Sequence, residues 1–268
     1  MGAALTAPTL LAAPAAASAV SPEPAHSPNA EDITTLYWIS LAVVVALITL
    51  VGIVLLLAVL SYRERRGSEP RQVRGTRSVQ LRASAGLAIL AIAMFVVSVI
   101  YTERAREVSP SGAQGLQASS AVYAQKSLKP LPADGEPLRI KATAQQWLWR
   151  YEYPNGAFSY YKLVVPIDTA VVLDLVSTDV THGWYVPALG GKFEAVPGKL
   201  NSAWFRADET GTYEGRSSTF SGSAYAAERM AVEAVSPEEY QAFVEQQKRD
   251  IQEAQDSVAE QIASGATP

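Results

Sequence analysis

The chain has 268 residues, a formal net charge of −4 and a sequence pI near 5.4, room for one medium domain plus further elements and no global positive field to attract nucleic acid. Cysteine is absent, which excludes disulfides, iron–sulfur clusters and thiolate-bound metals, and the two histidines, His26 and His182, leave little material for any metal site. Hydrophobic residues make up 49% and charged residues 18%, with the apolar share concentrated in two runs, the pattern of a membrane protein carrying a water-soluble part.

Residues 1–35 are rich in Ala, Pro and Ser and carry no Lys or Arg. This composition predicts a flexible N-terminal segment with His26 solvated in it. The run Leu10–Ala19 resembles a weak signal-peptide core, although it lacks a basic start and Pro8 and Pro14 interrupt it. Leu36–Leu60 follows without a charge, with Tyr37 and Trp38 at one end, where amphipathic rings favour the headgroup region. Ala83–Tyr101 is a second uncharged run. At about 1.5 Å per residue either run spans the hydrocarbon layer of roughly 30 Å, so the two predict a transmembrane hairpin over 36–101. Between them lie Arg63, Arg65, Arg66, Arg71, Arg74, Arg77 and Arg82 against Glu64 and Glu69. Short basic loops stay cytoplasmic, which puts the N-terminus and the C-terminal part of the chain outside.

A Ser/Gly/Pro/Ala-rich connector occupies the end of a linker over 102–137. From Leu138 the pattern turns to short β-rich runs: Leu138–Gln145, Trp147–Tyr153, Tyr160–Val165, Val171–Ser177, Ser202–Ala207 and Met230–Val235. Turn signals at Pro154-Asn155-Gly156, Gly190-Gly191, Pro197-Gly198 and Thr210-Gly211 separate several of them, which predicts an antiparallel sandwich or small barrel over 138–235. Ser236-Pro237-Glu238-Glu239 then announces a helix within the last segment, 236–268: a capping serine, a proline in the first turn and a glutamate that reaches back to the cap. Its thin stripe of Tyr240, Phe243, Val244, Ile251 and Val258 suits packing on the sandwich or on a partner, and the helix is expected to run to about Ile262.

Two blocks in this β-rich part carry a resemblance. Gln146-Trp147-Leu148-Trp149-Arg150-Tyr151-Glu152-Tyr153 resembles the aromatic signature of subunit II of the haem-copper respiratory oxidases, the cytochrome c and quinol oxidase subunit II family. Asp179-Val180-Thr181-His182-Gly183-Trp184-Tyr185-Val186-Pro187 is similar to that family's segment with the first copper-binding histidine. Leu189-Gly190, Val196-Pro197-Gly198, Trp204-Phe205 and Gly211-Thr212-Tyr213-Glu214-Gly215 continue in register. The resemblance implies a membrane α-helical hairpin plus an all-β cupredoxin-like barrel or sandwich with a C-terminal helix, docked on core subunit I and on subunit III of a proton-pumping terminal oxidase in a bacterial-type plasma membrane.

One block departs from the family. Copper-binding members place Cys-x3-Cys-x3-His-x2-Met after the glycine matching Gly215, whereas this register holds Ser217, Ser221, Tyr225 and Glu228, with Thr219 at the position that assists magnesium binding. Serine hydroxyls are poor ligands for soft copper, and His182 alone cannot hold two ions, so no metal or other cofactor is expected in this chain. The resemblance then implies haem and copper in the partner core subunit. Trp147 matches the tryptophan through which the family takes in electrons and, with no copper behind it, reads as a strand aromatic covering the barrel or touching the core subunit. Gln80 and Arg82 lie where many members carry a glutamate at a proton-channel mouth, with Glu69 an alternative source of the acid.

Three functional readings stay open. The first is a copper-free subunit II with a structural role in a quinol oxidase. The second is a cytochrome c oxidase subunit in which electrons bypass the lost site. The third is a stand-alone membrane-anchored β-domain for binding or sensing. No Ser-His-Asp set, carboxylate pair in an obvious cleft or phosphate loop marks the chain as catalytic in itself.

Overall fold

The computed structural model describes residues 21–61, 75–116 and 137–264. The signal-peptide-like run and Glu69 lie outside the described residues. Helix α1 spans Pro28–Ser61 and α2 spans Arg77–Arg106, lengths of about 51 and 45 Å at 1.5 Å per residue. Both are long and apolar enough to cross a membrane. Their apolar side chains face outward: Ile48, Leu55, Leu57, Ile89 and Phe95 are all more than half exposed. Outside a lipid phase such surface is costly, which is the physical content of the hairpin prediction.

Ten strands follow. β1 (Leu138–Gln145), β2 (Leu148–Glu152), β3 (Phe158–Tyr160), β5 (Val171–Ser177) and β8 (Asn201–Phe205) form a sheet in the order β3-β2-β1-β5-β8. β4 (Lys162–Pro166), β10 (Arg229–Val235) and β9 (Gly211–Arg216) form a second sheet in the order β4-β10-β9, and β6 (His182–Trp184) pairs with β7 (Phe193–Ala195). The expected sandwich is present, but it is mixed. β1 runs parallel to β5, with Ile140 opposite Leu173, and β4 runs parallel to β10, with Leu163 opposite Val232. A purely antiparallel arrangement is therefore corrected: each parallel pair is closed by a long connection that leaves one sheet and returns, which periodicity does not encode.

Alternation explains the faces. Along β1 Leu138, Ile140, Ala142 and Ala144 point inward while Arg139 and Lys141 point out. In β5, between β1 and β8, Val171, Val172, Leu173 and Leu175 are buried. Trp149, Tyr151, Leu173, Leu175 and Phe205 from the first sheet meet Leu163, Val165, Met230 and Val232 from the second in one core. Burying each such large side chain is worth about 1.5–3 kcal/mol.

The expected single strand over Tyr160–Val165 is two, β3 and β4, broken at Tyr161. Tyr161 has φ 60°, a left-handed conformation that ends a ladder. Trp147 lies in the tight turn between β1 and β2, not on a strand, which corrects its placement.

A larger correction concerns the N-terminal segment. From His26 to Asn29 it lies against the sandwich. The His26 amide donates to Ala188 O at 2.8 Å and the Asp208 amide to His26 O at 3.1 Å. Ser27 Oγ donates to Asn29 Oδ1 at 2.5 Å, and Asn29 Nδ2 donates to Trp204 O at 2.7 Å. Ser27 and Asn29 are buried, and a side chain at Gly190 would meet Asn29 Nδ2 at 2.7 Å. The His26 ring lies 5.3 Å from that of Tyr213, tilted by 44°, and is not a freely solvated residue. Pro28 then opens α1 eight residues ahead of the apolar run, where proline's fixed φ suits a first turn.

The other leg of the hairpin is tied to the same sheet. Trp204 Nε1 donates to Ala105 O at 2.8 Å, Arg206 donates to Pro110 O at 2.8 Å, and the Leu116 amide donates to Thr169 Oγ1 at 2.8 Å. Helix α3 (Pro237–Ala263) begins with the expected capping box. Its first turns pack on the sandwich: Tyr240 and Val244 are buried, and Phe243 meets Tyr153 edge-on at 5.8 Å. Val258 and Ile262 are exposed on its second half.

Candidate functional site

At one end of the sandwich the β5–β6 connection, β6 and the 217–228 segment converge. His182 opens β6, and its neighbour Gly183 lets that segment come close: a Cβ there would lie 2.7 Å from Ser218 Oγ and Thr219 Oγ1 and 2.8 Å from the Thr219 amide nitrogen. The far end of the segment is fastened by the Ser217 amide, which donates to Glu228 O at 3.0 Å. This pairing brings the Glu228 carboxylate under the histidine.

His182 is fully buried and both of its ring nitrogens face carboxylates. Nδ1 lies 2.9 Å from Glu228 Oε1 and 3.2 Å from Oε2, and Nε2 lies 2.9 Å from Asp179 Oδ1. Ser221 Oγ donates to Glu228 Oε2 at 3.1 Å, and Trp149 covers the imidazole edge-on at 6.2 Å. Asp179 is the outer member. Its Oδ2 accepts the Gln146 amide at 2.7 Å and its Oδ1 the Val180 amide at 2.6 Å. Burial works against its charge, yet the Gln146 amide, the His182 ring and the Val180 amide together hold its carboxyl below the ordinary value.

Of the residues singled out from sequence, His182, Ser221 and Glu228 share this cluster. Ser217 lies beside it and donates to Thr219 O at 3.3 Å. Thr219 turns away and donates to Glu194 Oε1 at 3.1 Å; Glu194 is in turn held below its ordinary value, chiefly by Lys192 at 3.1 Å. Tyr225 is not brought in. It sits on a short 3-10 turn with its ring against Phe220 at 5.2 Å, on the surface. Trp147 borders the same segment, because Gly222, at φ 116°, leaves no room for a Cβ between Gln146 and the indole. Its Nε1 is buried without a hydrogen-bond partner among the described residues.

Asp179 is the site residue that sequence reasoning passed over, although it stands in the quoted block. A carboxylate three residues before a histidine is the signal that could have found it. Glu194 left no signal, since its link to Thr219 crosses 25 residues of sequence.

Comparison with known proteins places the chain. A sequence model of the family described as "Cytochrome C oxidase subunit II, periplasmic domain" matches residues 159–235. The crystal structure of the periplasmic domain of subunit II of cytochrome oxidase from Bradyrhizobium japonicum is 32% identical, covering 42% of this chain and 94% of that one, with a TM-score of 0.41. The chain belongs to the cytochrome oxidase subunit II family. Among its relatives, cytochrome c oxidase subunit 2 of Alkalihalophilus pseudofirmus is 28% identical over 82% of the chain and 60% of the relative. Quinol oxidase subunit 2 of Bacillus spizizenii is 24% identical over 83% of the chain and 65% of the relative. The chain thus spans less than two thirds of the length of these two relatives. Its β-sandwich is the cupredoxin-like domain of the family, preceded by two helices fit to cross a membrane.

A subunit II of the copper-binding kind needs thiolates to bridge two copper ions and imidazole lone pairs to cap them. The residues here do not fit that centre. The chain has no cysteine, Ser221 is engaged with Glu228, and both His182 nitrogens are taken up by carboxylates.

Proposed function

We propose that this chain is a copper-free subunit II in a quinol-oxidising haem-copper terminal oxidase. The observation that carries the reading is the engagement of both His182 nitrogens by Asp179 and Glu228, with serines at the cysteine positions. A domain without an electron carrier has no step of its own in electron transfer, so its role is structural. The hairpin packs on core subunit I, beside subunit III and lipid, and the sandwich roofs the outer face of the complex and shapes the exit of protons and water. Haem and copper reside in the core subunit, and quinol delivers electrons there directly. The basic loop at 61–82 supports an extracytoplasmic side for the sandwich, and the family resemblance supports a bacterial-type plasma membrane.

A second reading, a cytochrome c oxidase whose electrons bypass the lost site, is favoured by the intact Asp179–Pro187 block and by the cytochrome c oxidase name of the A. pseudofirmus relative. The purified complex separates the two. Its metal content and near-infrared spectrum are measured beside its oxygen uptake with quinol and with reduced cytochrome c. The first reading expects no dinuclear-copper band and uptake driven by quinol. Turnover with cytochrome c but not with quinol overturns it in favour of the second.

A further inference from the structure

The geometry points to a metal-independent latch: Asp179, His182 and Glu228 form a proton-bridged acid–imidazole–acid chain that closes the 217–228 segment onto the sandwich. The inference rests on the copper-free reading and says what the site does instead.

Proton counting comes first. A neutral imidazole offers one N–H and one bare nitrogen, and a carboxylate offers acceptors alone. Two contacts of 2.9 Å, one at each ring nitrogen, each need a hydrogen between the heavy atoms. The three groups therefore share two protons. Either both are on the ring, or one is on the ring and one on an acid. In both cases the chain of groups carries one net negative charge and makes both hydrogen bonds.

Burial decides how strongly the partners depend on one another. The side chains of His182 and Glu228 are 0% exposed, whereas that of Asp179 is 26% exposed. A buried charge that loses its partner keeps its desolvation penalty with nothing to offset it, so removing one member costs more than exchanging both for neutral groups.

The segment being closed has few other ties. Between β9 and β10 it holds one short 3-10 turn, and Phe220 stands 73% exposed at its tip. Besides the latch, its side-chain hydrogen bonds to the rest of the sandwich among the described residues are Gln146 Nε2 to Ser221 O at 2.7 Å and Thr219 Oγ1 to Glu194 at 3.1 Å. Asp179 follows β5, His182 begins β6 and Glu228 immediately precedes β10. The chain of groups thus joins three stretches that no sheet ladder joins. It fixes the surface formed by Phe220, Tyr225 and Trp147 by holding the inner side of the segment that presents it.

The test uses the full-length chain purified in detergent. Copper analysis after incubation with copper salt comes first. Two copper ions retained per chain overturn the copper-free reading and the latch with it; no retained copper leaves the latch to be judged by itself. Amide hydrogen exchange is then followed over 217–228 in the wild type, His182→Gln, Glu228→Gln and the double variant. The latch expects each single variant to speed exchange there by about a hundredfold while β1 and β5 stay protected, and the double variant to fall far short of the product of the two. Unchanged exchange in the single variants, or effects that simply multiply in the double variant, overturn the latch while the copper-free reading stands. Should the single variants fail to fold, nitrogen-15 spectra of the wild type decide, since the chain has two histidines. The latch expects His182 to show both ring nitrogens hydrogen-bonded, and a bare ring nitrogen overturns it.

Discussion

Ser236 accepts the Glu239 amide on its hydroxyl at 3.3 Å, and Glu239 Oε2 accepts the Ser236 amide at 3.0 Å. Ser236→Ala removes one half of this box and is expected to lower stability by about 1 kcal/mol, read as a shift in the denaturant midpoint of the full chain. The Ser236 amide, and next its hydroxyl, hold the Glu239 carboxyl below its ordinary value of 4.5. A depressed acid contributes above its unfolded value, so the cap is complete at neutral pH and is lost as pH falls through the lowered value. The Ser236→Ala effect should therefore shrink in acid, and an effect that persists unchanged below that range would show that Glu239 takes no part. This cap was legible because its partners are three residues apart. The pairing of His182 with Glu228 was not, since no spacing rule joins residues 46 apart, and the serines at 217 and 221 announced what was missing more clearly than what replaced it.

Elements were readable where a pattern repeats. Leu138–Gln145 and Val171–Ser177 have the bounds that alternation and β-branched content predict. β6 and β7 are three residues each, too short to show a period, and they form because the turn between them folds one onto the other. The segment at 21–29 misled in the opposite sense. Its proline-rich composition reads as loose chain, yet Asn29 and Ser27 satisfy the backbone of β8 and of the residue after it. Asn29→Ala leaves the buried Trp204 carbonyl without this donor and is expected to cost about 1–3 kcal/mol. Proteolysis of the full chain in detergent checks it: cleavage within 21–28 should accelerate while the sandwich stays intact. Unaltered resistance there would mean that the remaining backbone bonds of His26 suffice.

At the scale of the molecule, composition set two apolar runs apart from the β-rich part, and the arginine loop predicts an orientation. That orientation is open to direct measurement because the chain has no native thiol. Gly75→Cys and Ser257→Cys, made one at a time, place a single thiol before α2 and on the exposed half of α3. In spheroplasts a membrane-impermeant maleimide should label position 257 at once and position 75 after the membrane is opened. The reverse order would invert the topology. The mixed sheet order escaped the sequence because strand pairing is decided when distant stretches close on one another, after local propensity has done its part.

The hairpin meets the sandwich at two points on the same strand: Asn29, at the start of α1, on the Trp204 carbonyl, and Ala105, near the end of α2, under the Trp204 indole. A body hung from a membrane on one tether can swivel. One gripped at both legs by a single residue keeps a fixed bearing to the bilayer normal. Under the proposed docking on a larger membrane protein, most of the orientational freedom that docking would otherwise have to quench is already gone, so assembly would begin with the correct face turned toward its neighbour.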